Sequence, residues 1–552
     1  MKTPSRSLIA SALCLAAALP VAQAQNATFK PPTGWPDYLA MGSVTSTCTT
    51  DDFSNKPSLD CIFTYDGDGA GSVGKIEYPT KPDALCNLVP QIASLARKSD
   101  SKIIPVLVCY QSNLSTGTTG PADLEDQPTL TMHLINLILS CEVLQNHAKS
   151  DGISPNIILN PDFLGSEWVP APPIPYAGAA AAKVQVNKAL LAAVTFATSP
   201  FGGAKSPVEW FNANPGGSKN WATLVPSMTS LPLTGTQSAF TPPFTSSSSV
   251  TVPQDFTDDV SGWIQAQNWI VRTFAPDARF GWHMNSSAPN GGSWVHPGRW
   301  CYSSPEDMAK QYTAFLDSLN VFRNASSAKE FIKPDYIVFD KASYDEFDSH
   351  GWPGNAWYSY NYGGVYNCDD WNTLLGMIGN LSAAYGLPVM LWQIPGGHLV
   401  TTSESPALTT DGSPDATYLL GDANVSIAGD TSNLASFIVN PAADGSSTPN
   451  PGPDGKVFPP MDAGNNYYFG ATPPADITTI PAYLSSGTDK NWQTGHLDKA
   501  ISSGVFAILW GAGQIVSLAD ANTTVIDPGH WLQNHIPTPD KQPPLTGGPW
   551  AP

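Results

Sequence analysis

Charge is scarce in this chain, and positive charge scarcest. Charged residues make up 13% of its 552 residues, with 26 Lys and Arg against 46 Asp and Glu. Such an acidic balance repels phosphate backbones, so no nucleic-acid partner is expected. It suits a soluble protein that meets a neutral substrate. Several enzyme signatures are also missing. No G-x-S-x-G occurs, so an esterase on the α/β-hydrolase plan lacks its nucleophile elbow. There is no H-E-x-x-H or C-x-x-C, and the nine histidines are scattered, which argues against zinc and thioredoxin-type chemistry. No G-x-x-x-x-G-K-[ST] phosphate loop is present. No cofactor and no metal are therefore expected. Beyond the N-terminus no run reaches the roughly 18 apolar residues of a membrane span, and no repeat of solenoid period is visible.

The N-terminus reads as a secretory leader. Lys2 and Arg6 precede the short apolar stretch Leu8–Leu19, and Ala22-Gln23-Ala24 is a small-residue cleavage site. Residues 1–24 are set apart as a signal peptide, and an extracellular or periplasmic location follows. The formal net charge of −20 becomes −22 once Lys2 and Arg6 leave. Cys14 leaves too, and seven cysteines remain. In an oxidising compartment one to three disulfides are expected, with Cys48–Cys61 and Cys301–Cys368 the preferred pairs.

What the chain does have is rhythm. Eight short apolar or β-branched runs recur: Tyr38–Val44, Cys61–Tyr65, Ile103–Tyr110, Asn156–Leu159, Phe280–Met284, Tyr336–Phe339, Val389–Trp392 and Val505–Trp510. Several are almost continuously hydrophobic, as strands covered on both faces are. Helical spacing fills most gaps, over Asp83–Lys98, Thr129–Ala148, Ala177–Ala197, Asp255–Phe274, from Ser304 to about Phe322 and from Asp369 to about Tyr385. Strands alternating with helices make parallel βαβ units, and eight of them predict a single (β/α)8 TIM-type barrel over residues 25–552. A doubly wound sheet with an appended β domain is the alternative. Two stretches rich in small and polar residues, about 199–253 and 396–494, break the rhythm and are read as long loop insertions at the catalytic face. A monomer is expected.

In such a barrel, chemistry belongs at the C-terminal ends of the strands. The acids found there are Asp66, Asp162, Asp340 and Glu346. Cleavage of a glycosidic bond needs two carboxyl groups, one protonated and one ionised. Asp162 and Asp340, after the fourth and sixth runs, are the favoured pair, with Asp66 and Glu346 in reserve. Tyr65, Tyr110, Trp282, Trp392 and Trp510 offer faces for sugar rings, and Gln111, His283 and Gln393 offer hydrogen bonds to hydroxyls. Each has a structural alternative. Asp162 after Pro161 suits a helix cap, Asp340 beside Lys341 suits a local ion pair, and Asp66-Gly67-Asp68-Gly69 reads as a plain turn. The tryptophans suit a barrel core and His283 a hydrogen-bonded core site.

The strand-end strings also carry a resemblance. Asn160-Pro161-Asp162-Phe163-Leu164-Gly165, Phe339-Asp340-Lys341, Leu391-Trp392-Gln393-Ile394-Pro395-Gly396 and Ala507-Ile508-Leu509-Trp510-Gly511-Ala512-Gly513 resemble secreted bacterial (β/α)8 proteins of glycoside-hydrolase type. The Pro161-Asp162 element is similar to the Glu-Pro-Asp element of family 6 glycoside hydrolases, with Asn160 where that pattern has Glu. The resemblance implies the barrel fold and hydrolysis of a poly- or oligosaccharide. With Asn160-Pro161-Asp162 after the fourth run and Gln393 after the seventh, it does not imply the Glu/Glu plan of the large clan of retaining barrel enzymes. A non-catalytic carbohydrate-binding or cell-surface protein on a degenerate barrel is the alternative from another class.

Overall fold

The structure is a computed structural model that describes residues 28–44, 59–66, 103–110, 124–167, 183–214, 235, 238–246, 248–286, 294–297, 302–322, 332–341, 366–396, 398–399, 414–425, 484–511 and 531–550. Its centre is a closed barrel of eight parallel strands. In chain order these are β1 (Ala40–Val44), β2 (Cys61–Asp66), β3 (Ile104–Cys109) and β4 (Asn156–Leu159). A two-stranded antiparallel hairpin follows, β5 (Ala239–Phe240) with β6 (Val250–Thr251). The barrel resumes with β7 (Arg279–Asn285), β8 (Tyr336–Asp340), β9 (Val389–Ile394) and β10 (Val505–Trp510). β10 returns to β1 with Ala507 opposite Ala40, which closes the sheet. This is the predicted (β/α)8 TIM-type architecture, and it excludes the doubly wound alternative. Gly69-Ala70-Gly71-Ser72-Val73-Gly74 does have dinucleotide-loop spacing, but it lies outside the described residues. That fingerprint works at the switch point of an open sheet, and this sheet is closed.

The helices are α1 (Gln127–Asp151), α2 (Phe163–Glu167), α3 (Val186–Ala197), α4 (Pro207–Ala213), α5 (Val260–Phe274), α6 (Pro305–Ser318), α7 (Cys368–Tyr385), α8 (Asp415–Leu420), α9 (Leu497–Ser502) and α10 (Trp531–His535). Their ends are written in the sequence. Ser304 caps α6 by accepting from the Asp307 N–H, with Pro305 in the first turn. Asn367 and Asp370 form a reciprocal capping box on α7, which stops at Gly386 with φ 64°. Losing one such cap costs about 1 kcal/mol. The predicted helix over Asp83–Lys98 lies outside the described residues.

Strand alternation sorts the interior. At the N-terminal end of the barrel, Tyr336 and Phe506 meet with ring centroids 5.5 Å apart, and Trp35 packs on Phe506 at 5.0 Å. The Trp35 indole N–H donates to Asn156 Oδ1 at 2.9 Å, and the Tyr336 hydroxyl to the Ile157 carbonyl at 3.1 Å. Gly281 is glycine because a Cβ there would overlap the Tyr336 ring. The C-terminal end sets polar side chains among the rings of Tyr65, Tyr110 and Trp392.

α1 packs against both α3 and α5, and every residue from Thr129 to Gln145 is buried. Glu142 lies in that stretch, fully buried, with both carboxyl oxygens lacking a hydrogen-bond partner among the described residues. Burial pushes its carboxyl well above the ordinary value, and Glu209 adds to the rise. The folded chain thus keeps Glu142 neutral at pH values where the unfolded chain ionises it, above about pH 4.5. Stability is lost as pH climbs from there towards the folded pKa. Glu142→Gln is expected to raise stability at pH 8 by on the order of 1–3 kcal/mol and to change nothing at pH 4. Urea unfolding at both pH values reads this, and an equal change at both would refute it.

The two insertions separate. Described parts of the first are α4 and the β5–β6 hairpin, where Phe240 stacks on Phe274 at 5.2 Å in the last turn of α5. That turn leads into the start of β7, so the hairpin packs on the helical shell at that point. Described parts of the second include α8, which meets the chain just beyond β8: Lys341 Nζ donates to Asp415 Oδ2 at 2.9 Å. Among the described residues no disulfide is present. Cys61 and Cys368 are buried free thiols, Cys61 in a barrel strand and Cys368 donating to the Asn491 carbonyl at 3.8 Å. Cys48 and Cys301 lie outside the described residues, as do residues 1–24, expected to be a signal peptide. No helix among the described residues is long and apolar enough to cross a membrane.

Candidate active site

β4 ends in backbone that few residues adopt. Asn160 has φ 39° and Asp162 has φ 65°; on the facing wall Gln393 has φ 53°. Asn and Asp tolerate the left-handed region better than most residues, and Gln does not share that ease. Three of the five described non-glycine residues with positive φ thus gather at one rim, the placement expected of a site that fixes side chains at a backbone cost.

These turns bring Asp162 over the barrel mouth. Its backbone N–H donates to His283 Nδ1 at 3.0 Å, so Nδ1 is the acceptor and the ring proton of the neutral imidazole sits on Nε2. His283 Nε2 faces Asp340 Oδ1 at 3.3 Å. Asp340 Oδ1 also accepts the Ser286 N–H at 3.3 Å. Asn285 Nδ2 donates to Asp162 Oδ1 at 2.7 Å and faces Asp340 Oδ2 at 3.5 Å. The Tyr110 hydroxyl reaches Asp162 Oδ2 at 3.5 Å. Asp162, His283 and Asp340 each offer an atom within 4.8 Å of the others, a spacing a metal ion accepts. The tautomer argues against that use: an Nε2 carrying its proton is no ligand.

Exposure separates the two acids. Asp162 is half-buried, and so are Tyr65, Tyr110, Asn285 and Gln393 around it, whereas Asp340 is 3% exposed. Burial raises the Asp162 carboxyl above the usual aspartate range. Its neighbour Asp340 adds to the rise, while the hydrogen bonds from Asn285 and Tyr110 hold part of it back. Burial likewise keeps the Tyr65 and Tyr110 hydroxyls protonated, so both remain donors. Gln393 Nε2 donates to the Tyr65 oxygen at 2.9 Å and bridges opposite walls of the mouth. Trp392 lies beneath, its ring 4.9 Å from His283 and 6.3 Å from Tyr65. The indole N–H groups of Trp392 and Trp510 are buried without a partner among the described residues.

Two predicted site residues turn away. Asp66 accepts the Ser140 hydroxyl of α1 at 2.6 Å, so it sits between barrel and helix. Trp282 donates to Asn268 of α5 at 2.7 Å and packs on Phe163 and Trp263, again outside the barrel. Gln111 and Glu346 lie outside the described residues. Lys341 is not the local partner of Asp340, because its Nζ is directed to Asp415. Asn285 joins the site without having been singled out in the sequence, whereas Asn160, which stands where the family 6 pattern has Glu, turns its side chain to α5. Asn160 Nδ2 donates to Gln267 Oε1 at 2.5 Å, which anchors the strained turn to α5.

No protein-family model matches the chain, and no curated protein matches it. Solved structures do. A family 6 glycoside hydrolase from Coprinopsis cinerea is similar at 10% identity and a TM-score of 0.27, over 60% of this chain and 60% of that one. The GH53 catalytic domain of Ignisphaera aggregans is similar at 10% identity and a TM-score of 0.32, over 88% of each chain. A β-galactosidase from Marinomonas ef1 is similar at 9% identity and a TM-score of 0.27, over 69% of this chain and 51% of that one. At such scores these likenesses carry no weight on what the site does.

Proposed function

We propose that the protein hydrolyses glycosidic bonds, with Asp162 as proton donor and Asp340 as the carboxylate that tunes it. One observation carries this reading. At the C-terminal mouth of a parallel barrel, a half-buried carboxyl with a raised pKa stands within 4.8 Å of a second, sealed carboxylate. An acid that must hold its proton near neutrality needs that environment. The half-buried Tyr65 and Tyr110 give the mouth apolar faces with polar tips, which suits sugar rings. The short separation leaves no room between the two carboxyls for the water of an inverting pair, which needs about 6.5–9.5 Å. The spacing is nearer the about 5–5.5 Å of a retaining pair, but Asp340 is sealed from the mouth, so Asp162 protonates the leaving oxygen and then, as carboxylate, takes the proton of the water that adds to the anomeric carbon.

The test is turnover on a panel of neutral poly- and oligosaccharides by the native chain, Asp162→Asn and Asp340→Asn. Native turnover is expected, with loss in both variants. Unchanged turnover in both would move the chemistry elsewhere. Glycan binding without turnover by the native chain would replace hydrolysis with the carbohydrate-binding reading.

A further inference from the structure

We infer that Asn285 is a positioning residue that bridges Asp162 and Asp340 and sets the protonation of Asp162, and that Gly165 is glycine to make room for it. The inference rests on the assignment of those two acids as the working pair. Asn285 is the last residue of β7 and shares its inward parity with His283. It lies opposite Asp340 in register, and its carbonyl accepts the Tyr312 hydroxyl at 2.9 Å, so its backbone is fixed from two sides. A single amide nitrogen then touches both carboxyl groups, at 2.7 and 3.5 Å.

The other end of the amide explains why it cannot turn. Asn285 Oδ1 is buried without a hydrogen-bond partner among the described residues and is pressed against Gly165, where a Cβ would overlap it. Rotating the amide by half a turn would set an acceptor against two carboxyl groups that are mostly acceptors, so the carboxyls decide which end is nitrogen. A leucine would fill this space without an unmet acceptor. The fold instead keeps a buried acceptor unpaired, a cost that only the donor end offsets. Hydrogen bonding to the ionised form favours it, so the amide restrains the rise that burial imposes on Asp162. Gly165 does not need its conformational freedom here; the requirement is space.

The experiment uses the full chain with three changes: Asn285→Ala, Gly165→Ala and both together. The readout is the titration of the Asp162 carboxyl by NMR in protein labelled with carboxyl-carbon-13 aspartate, with Asp162→Asn identifying the signal. Both single variants are expected to raise the midpoint by about one pH unit, the scale of one lost charge-assisted hydrogen bond. The double variant is expected to move no further than Asn285→Ala, because both changes act on the same amide. Thermal melts identify the variants that fold, and Gly165→Ala alone decides the matter if Asn285→Ala does not. An unmoved midpoint in folded Gly165→Ala, or additive shifts in the double variant, would overturn the inference. The titration needs no substrate, so failure to cleave any glycan would sink the hydrolase reading and leave this result standing.

Discussion

Asp162→Asn is expected to lower glycan turnover about 10²- to 10⁴-fold, the usual worth of a positioned general acid, and to make the protein more stable at neutral pH. The two effects share one cause. Burial and the Asp340 charge lift the Asp162 carboxyl above its ordinary value in the folded chain. In the unfolded chain it titrates near 3.9. Below about pH 3.9 both states hold the proton, and the group contributes its full stability. As pH rises towards the folded pKa the unfolded state is favoured, at about 1.4 kcal/mol for each unit of elevation. Asn cannot ionise, and its side-chain oxygen still accepts from Asn285. The stability gap between variant and native chain should therefore be flat in acid, widen with pH and level off above the folded pKa. Melting temperatures from pH 3 to pH 8, beside turnover, measure both halves. A gap that does not depend on pH would remove the environment on which the acid role is built.

The fold was legible because its strands are buried on both faces. β4 and β10 coincide with the apolar runs Asn156–Leu159 and Val505–Trp510, and the other barrel strands differ by a residue or two at their ends. Turn and cap chemistry placed the helix starts equally well, as at Ser304 and near Asp369. α3 is the looser match. Its alanine-rich approach predicts a start at Ala177, whereas the described helix begins at Val186, and alanine marks helix propensity better than it marks a boundary.

The site was only half legible, for a reason that strand geometry makes plain. Candidates were taken in adjacent pairs: Tyr65 with Asp66, Trp282 with His283, Trp392 with Gln393. Successive residues of a strand point to opposite faces, so a regular strand sends one of each pair to the mouth. Phe63 and Tyr65 are in ring contact 6.0 Å apart, which leaves Asp66 to α1, and His283 inward leaves Trp282 to α5. The same parity, applied to His283, would have singled out Asn285 two residues on. Gln393 escapes the rule because its positive φ breaks the alternation, and no composition or spacing announces that. The tautomer of His283 was equally out of reach, since it depends on a backbone N–H brought in from another strand.

Lys341→Met should cost about 3–5 kcal/mol of stability, the usual penalty for stranding one member of a buried ion pair. Lys341 and Asp415 are 1% and 0% exposed. The lysine also lies over the Tyr366 ring at 4.3 Å, and Asp415 accepts the Trp371 indole N–H at 2.6 Å. This pair ties the residue after Asp340 to α8, so the end of β8 is anchored through it. Removing the lysine leaves Asp415 with the indole donor but without its counter-charge. Removing both, as Lys341→Met with Asp415→Leu, leaves no stranded charge, and buried pairs replaced whole by apolar side chains are often neutral. The double variant is therefore expected to recover most of the loss in urea unfolding. Its turnover should stay below native, because the apolar contact does not hold the end of β8 with the same directionality. A double variant as unstable as the sum of its two single changes would show the pair to be uncoupled and would break the proposed link between α8 and the end of β8.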